Sequence, residues 1–316
     1  MRFFGKTSID FMRLRKVMFL ASMSLIAISL VSLVLHGGPK FGIDFRGGSF
    51  MEIRFEDKND PELPLNIPID RVRNVFNEAG LGQSEIKHYG SSQEISVQVD
   101  VESIKGDADS TLTTLLNQLD SSFPEYNVIE RRRESVGPKI GQELVWAVVQ
   151  AVLFAMLLIL LYIMFRFEFR FGVGAVVALF HDVIITLGIF SLLNKEITIP
   201  IIAALLTIVG YSLNDTIVVF DRIRENLKSF KSQARSYSEM INLSINETLS
   251  RTIITSGTTL LVIVVLYFFG GEILKDFAFA LLCGIGVGTY SSIYIASPIL
   301  VEWQLRRASK VPLKRK

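Results

Sequence analysis

The chain has one cysteine and three histidines in 316 residues. A lone cysteine, Cys283, excludes an intramolecular disulfide, and its apolar setting suits a small buried hydrophobe better than a thiol nucleophile. No Cys/His spacing fits a metal, so neither a metal nor an organic cofactor is expected. An excess of one charge is missing too. Lysine and arginine number 33 against 31 acids, and a net charge of +2 gives no electrostatic ground for nucleic-acid binding. What remains is apolar. Half of the residues are hydrophobic and the mean hydropathy is +0.41, which suits a multi-span membrane protein and not a soluble chain of this length.

Residues 1–16 are polar and basic and are expected to form a short flank. Residues 17–35 are uncharged and long enough to cross a bilayer. The run exceeds a signal-peptide core and no small-x-small cleavage pattern precedes His36, so it reads as an uncleaved first span. Further spans are expected at about 144–165, 171–193, 197–220, 252–269 and 277–301, within a membrane region 143–301. Between the fourth and fifth lies a polar segment, 221–250. There Ser236-x-x-Glu239 reads as a capping box, followed by Met240, Ile241, Ile245 and Leu249 at helical spacing. That pattern predicts an amphipathic helix on the membrane surface. Residues 302–316 form a basic tail. Small residues mark two packing faces: Ala147, Ala151 and Ala155 on span two, and Gly284 and Gly288 on span six.

Residues 36–142 read as a soluble domain. Residues 49–55 alternate, with Met51, Ile53 and Phe55 opposite Glu52 and Arg54, which predicts a half-buried strand. Residues 69–79 place Val72, Val75, Phe76 and Ala79 on one helical face and stop at Gly80. Strands follow at 86–89 and 94–101 around a turn at Gly90-Ser91-Ser92, then a helix at 109–123 and a strand at 128–133. The order βαββαβ is that of a ferredoxin-like α+β sandwich. His88 reads as a strand or surface residue, and Arg131–Arg133 as a solvated basic run. Nothing in the domain resembles a catalytic constellation, so the chain is not read as an enzyme.

Basic residues set an orientation. They cluster in the N-terminal flank (Arg2, Lys6, Arg13, Arg15, Lys16), after span two (Arg166, Arg170), after span four and in the tail, whereas the two short opposite loops hold only Lys195 and Lys275. Both termini are therefore expected in the cytoplasm and residues 36–142 outside.

Acids inside such spans are functional candidates by default. Asp215 lies within span four, and Thr207, Tyr211 and Ser212 share its face, with Asn214 beside it. A carboxylate that only joins helices is the competing reading. Asp182 lies at the centre of span three, next to His181 and one turn before Thr186. His181 reads as a structural hydrogen-bonded side chain. By helical rise, Asp215 is roughly 10 Å and Arg251 roughly 13 Å from the centres of their spans, on the same side. Arg251 either snorkels to the headgroups or faces a polar site, and its stripe with Thr255 and Thr258 favours the second. Moving Arg251 relative to Asp215 would load or release a proton, so Asp215, Arg251 and Asp182 form a candidate proton relay.

Several motifs stand in one order along the chain: Gly42-Ile43-Asp44-Phe45-Arg46-Gly47-Gly48, Val136-Gly137-Pro138-Lys139-Ile140-Gly141, His181-Asp182-Val183, Gly210-Tyr211-Ser212-Leu213-Asn214-Asp215-Thr216, Asp221-Arg222-Ile223-Arg224-Glu225-Asn226, Thr248-Leu249-Ser250-Arg251-Thr252 and Ser291-Ser292-Ile293-Tyr294. In these the chain resembles the SecF family of bacterial protein-export membrane subunits, within the resistance-nodulation-division superfamily. The resemblance covers about residues 40–300 and departs from the family pattern at Arg46, where a small residue is usual. It implies an inner-membrane subunit that is half of a larger pseudo-symmetric unit completed by SecD. It also implies work with the SecYEG channel and YajC on exported unfolded polypeptides, driven by the proton motive force, with protons as the only coupling ion and lipid as the surrounding medium. The family's functional carboxylate and membrane arginine fall on Asp215 and Arg251. A self-contained proton-driven exporter of small molecules or lipids, and a non-transporting scaffold, are the alternative readings.

Overall fold

The computed structural model describes residues 7–100, 103–104, 108–229 and 236–309. Val101, at the end of the expected strand 94–101, and the basic residues Arg2 and Lys6 of the flank, Lys231 and Arg235 after span four, and Lys310, Lys314, Arg315 and Lys316 of the tail lie outside the described residues. The chain divides into two compact units. One is helical, built from α1 (Phe11–Leu35), most of α5 (Pro138–Arg166), α6 (Phe169–Leu192), α7 (Ile199–Ser229), α8 (Tyr237–Phe269), α9 (Gly271–Ser291), a π-turn (Ser292–Ala296) and α10 (Ser297–Ser309). The other comprises residues 41–150 with 196–199.

The second unit is a sandwich of one sheet and two helices. Its strands β1 (Gly48–Asp57), β2 (Glu85–Tyr89), β3 (Ser91–Asp100) and β4 (Tyr126–Val136) lie in the order β2-β3-β1-β4, every neighbour antiparallel. With α3 (Ile69–Glu78) after β1 and α4 (Ala108–Ser122) after β3, this is the split βαβ arrangement. The alternating residues Met51, Ile53, Phe55, Ile95 and Val97 are fully buried against Val72, Phe76, Leu112, Leu115, Leu119 and Phe123. Strand alternation and helix periodicity thus meet in one core. Ala79 departs from the expected face: it caps α3 and is exposed. Arg131–Arg133 are a solvated run only in part, with Arg131 exposed. They lie in β4, where Arg133 pairs with Glu130 and Arg132 bonds Glu134 and covers the Phe50 ring.

The sequence Gly42–Gly48 forms the short helix α2 (Ile43–Arg46) and a sharp turn into β1. Gly47 and Gly48 hold φ of +81° and +148°, and a Cβ there would lie 2.9 Å from Pro138 Cα and 2.7 Å from the Val99 oxygen. Only glycine tolerates both the backbone and the approach. Asp44 accepts the Ile199 amide at 3.0 Å, which caps the first residue of α7.

Among the described residues, six helical stretches are long and apolar enough to cross a membrane. Two corrections concern their limits. The expected surface helix in 221–250 does not exist as a separate element. Residues to Ser229 continue α7, and the Ser236/Glu239 capping box starts α8, which runs unbroken into the fifth span. No glycine or proline interrupts residues 237–256, so nothing ends the helix there. Ile241, Ile245 and Leu249 bury in the bundle core instead of lying on lipid, and Met240 is buried as well. Span six, in turn, is not one regular helix: a π-turn separates α9 from α10, and Ser297 Oγ donates to the Ser292 carbonyl at 2.8 Å across it.

Helices approach closely where side chains are small. Gly188 of α6 meets Ser29 of α1, and Gly284 of α9 meets Ile208 of α7, each without room for a Cβ. A Cβ on Gly288 would lie 3.0 Å from Ser212 Cβ. Ala151, by contrast, is exposed on α5, whose apolar window has no buried residue in this chain.

Candidate functional site

Among the described residues of the helical unit two carboxylates are buried, Asp182 on α6 (1% exposed) and Asp215 on α7 (5%). Each is held by hydroxyls. Thr252 Oγ1 of α8 donates to Asp215 Oδ1 at 2.7 Å, and Ser292 Oγ donates to Oδ2 at 2.6 Å. Ser212 Oγ, one turn before Asp215, donates to Asp182 Oδ2 at 2.6 Å, and Ser291 Oγ donates to the same oxygen at 2.8 Å. His181 Nδ1 stands 2.8 Å from Asp182 Oδ1 and donates to it when that nitrogen carries the proton. Four helical segments therefore converge on one polar cluster.

Local sequence explains the convergence. A three-residue step on α7 puts Ser212 and Asp215 on one inward face. Consecutive helical residues point about 100° apart, so Ser291 and Ser292 reach different acids. Gly288, one turn earlier, leaves room for Ser212 and Asp182 beside α9. The His181 ring stacks on Tyr290 at 6.1 Å, and the Tyr290 hydroxyl donates to the Met18 carbonyl at 2.8 Å, tying the cluster to α1. His181 Nε2 is buried without a hydrogen-bond partner.

Among the described residues no lysine or arginine forms an ion pair with Asp182 or Asp215; the basic side chain that hydrogen-bonds within the cluster is His181, to Asp182. Two bare carboxylates in such a setting are costly unless hydroxyls, a proton or a partner compensate them. The expected stripe on α7 divides. Ser212 and Asp215 face inward, whereas Thr207 and Asn214 are exposed and Tyr211 is half-buried, its hydroxyl donating to Thr259 of α8 at 3.4 Å. Arg251 and Thr255 are exposed on α8. Arg251 thus stands outside the cluster, and its neighbour Thr252 takes the place beside Asp215. Sequence reading missed Thr252, Ser291 and Ser292 as carboxylate donors. The available signal was a hydroxyl in each apolar helix at the depth of an acid.

The family described as protein export membrane protein SecD/SecF, C-terminal, matches residues 116–306, and the SecD/SecF GG motif matches residues 33–58, the turn that enters β1. The chain belongs to the SecF family. It is 48% identical over 299 residues to the protein translocase subunit SecF of Desulfurispirillum indicum, covering 94% of this chain and 92% of that one. It is 46% identical over 316 residues to the SecF of Rhodothermus marinus, with 98% of each chain covered. The crystal structure of SecDF, a translocon-associated membrane protein from Thermus thermophilus, matches with a TM-score of 0.82 at 41% identity over 95% of this chain. A second SecDF structure, in a super-membrane-facing form, matches with a TM-score of 0.71 at 40% identity. This SecF-family chain spans about two fifths of those SecDF chains, 39% and 40%.

Proposed function

We propose that this chain is the SecF-type half of a Sec-pathway protein translocase subunit, and that protons moving through Asp215 drive it. The observation that carries the reading is the pair of buried carboxylates held, among the described residues, by hydroxyls and one histidine, inside helices of membrane length. An ionised Asp215 accepts two hydroxyl hydrogen bonds. Protonation puts an O–H donor on one of those oxygens, so the hydroxyl facing it, Thr252 or Ser292, has to turn its own hydrogen aside and accept instead. Ser292 opens the π-turn, so that turn is the element that a protonation change works against.

The exposed Thr207, Asn214, Arg251 and Thr255 supply the second part. Polar side chains at membrane depth face protein or water rather than lipid. In this reading a SecD half covers them, and Arg251 approaches Asp215 in one stage of the cycle. Its place outside the cluster then belongs to another stage. The coupling ion is the proton, with no other cofactor. The wider partners are the SecYEG channel, YajC and the unfolded polypeptide under export. The setting is the bacterial inner membrane with both termini cytoplasmic. In this reading the subunit moves protons and polypeptide and leaves the covalent structure of the exported chain unchanged, so it is not an enzyme.

The test is polypeptide export into inverted membrane vesicles with and without a proton gradient. Asp215→Asn keeps the shape and should abolish the gradient-stimulated part while leaving SecD binding intact. Asp215→Glu, which still titrates, should keep some of it. Normal stimulated export by Asp215→Asn would leave a structural carboxylate and a scaffold.

A further inference from the structure

At one end of the helical unit, where the start of α1 meets α10, a cleft of about 520 Å³ opens between α1, α6 and α10. Its volume is within the roughly 300–1,000 Å³ range of ligand sites. Its two ends differ in chemistry. The deeper wall is apolar: Phe19, Val177, Ile295, Pro298 and Ile299. Of these, Phe19 and Val177 are 49% and 43% exposed, so the cleft is open along its side. The mouth carries Arg15, Lys16 and Arg306, three cations against the single carboxylate of Glu302. Glu302 accepts from Arg15 Nε at 3.3 Å, and the Arg15 guanidinium also donates to the Met12 carbonyl at 3.1 Å, which fixes that side chain. Lys16 is exposed and forms no ion pair among the described residues.

Position along the helices completes the picture. Arg15 and Lys16 immediately precede the uncharged run of span one, so they stand at its headgroup edge. Trp303 lies beside them near the end of span six and packs edge-to-face on Phe169 at 6.1 Å. An indole at this level, with one apolar and one wet side, is the usual interfacial anchor. Cations at the mouth, an apolar wall running inward and a side open to the bilayer match one kind of occupant. We propose that the cleft is a binding site for an anionic phospholipid. The headgroup phosphate sits between Lys16 and Arg15, and one acyl chain lies along Phe19, Val177 and Ile299. A protein helix would need no cationic mouth, and a free phosphate would need no apolar wall. Basic clefts between spans at the headgroup level are known to select such lipids.

The full-length chain, purified in mild detergent, is exposed to equal amounts of phosphatidylglycerol and phosphatidylcholine and weighed by native mass spectrometry. The wild type should retain phosphatidylglycerol preferentially. Lys16→Gln, an exposed position with no ion pair to lose, should lower that retention about fivefold and leave phosphatidylcholine unchanged. Val177→Trp, which fills the apolar wall, should lower retention of both lipids, with thermal unfolding confirming an intact fold. Three results would overturn the proposal: equal retention of both headgroups by the wild type, undiminished phosphatidylglycerol in Lys16→Gln, or thermal stabilisation by inorganic phosphate equal to that by the lipid. Photo-crosslinking from position 19 that captures a polypeptide in place of lipid would also overturn it and assign the cleft to a protein partner.

Discussion

Ser291 and Ser292 are consecutive in the chain and donate to different acids, Ser291 to Asp182 at 2.8 Å and Ser292 to Asp215 at 2.6 Å. The two carboxylates sit on different helices, and this dipeptide hydrogen-bonds both. It also stands at the entry to the π-turn, where wider spacing of the backbone hydrogen bonds lets a helix change its path.

Ser292→Ala removes one of the two hydroxyls that Asp215 accepts. A hydrogen bond to a charged group contributes about 1.5–3 kcal/mol, so the ionised form loses a measurable share of its support. Gradient-stimulated export should fall and its pH profile should move, while Ser292→Thr, which keeps the hydroxyl, should stay near wild type. Export measured over a pH series decides this. An unmoved profile in the alanine variant would show that Ser292 only packs.

The two small-residue faces should respond differently to bulk. Gly284 has no room for a Cβ against Ile208, so Gly284→Leu should destabilise the helical unit by at least the roughly 1–3 kcal/mol typical of overpacking. Ala151 is exposed, and Ala151→Leu should leave the subunit's own stability unchanged while weakening whatever assembly covers α5. Thermal unfolding in detergent and co-purification of the SecD half separate the two effects. Equal loss of subunit stability in both variants would contradict the packing described.

Residues 40–135, expressed alone, should give a mixed α/β circular-dichroism spectrum. A pH effect is also expected. Arg71 donates to the Glu125 carboxylate and holds its pKa below the ordinary glutamate value. An acid with a depressed folded pKa contributes stability above its unfolded pKa, and that contribution is lost as pH falls through the folded one. The pair is partly exposed, so the effect is small. Thermal unfolding from neutral to acid should show a steeper loss below the ordinary glutamate range for wild type than for Glu125→Gln. Identical acid limbs would remove the pair from the account.

Topology is checked by protease added to intact spheroplasts. Cleavage is expected within 36–142 and not in the tail, since basic residues collect on the opposite side. A cut tail would reverse the orientation.

Periodicity alone made both units legible. Alternation at Met51, Ile53 and Phe55, and the apolar stripe of Val72, Val75 and Phe76, are local consequences of residue order, and burial follows whichever neighbour covers them. Span number was equally local, because an uncharged run of membrane length has few other places to go. The acids were visible too, since an aspartate inside such a run stands out against its neighbours. Which hydroxyls hold them was not visible. Thr252 lies 37 residues from Asp215, and Ser291 lies 109 residues from Asp182. Only helix packing decides which of many serines and threonines arrives at the right depth and angle. The same holds for Arg251 and Thr252: one residue along α8 turns the direction by about 100°, so packing placed the threonine inside and the arginine outside. The continuous α8 and the π-turn were tertiary outcomes as well. Ile241 and Ile245 suit a membrane surface and a bundle core equally by sequence, and the core offered by α1, α7 and α10 is what chose between them.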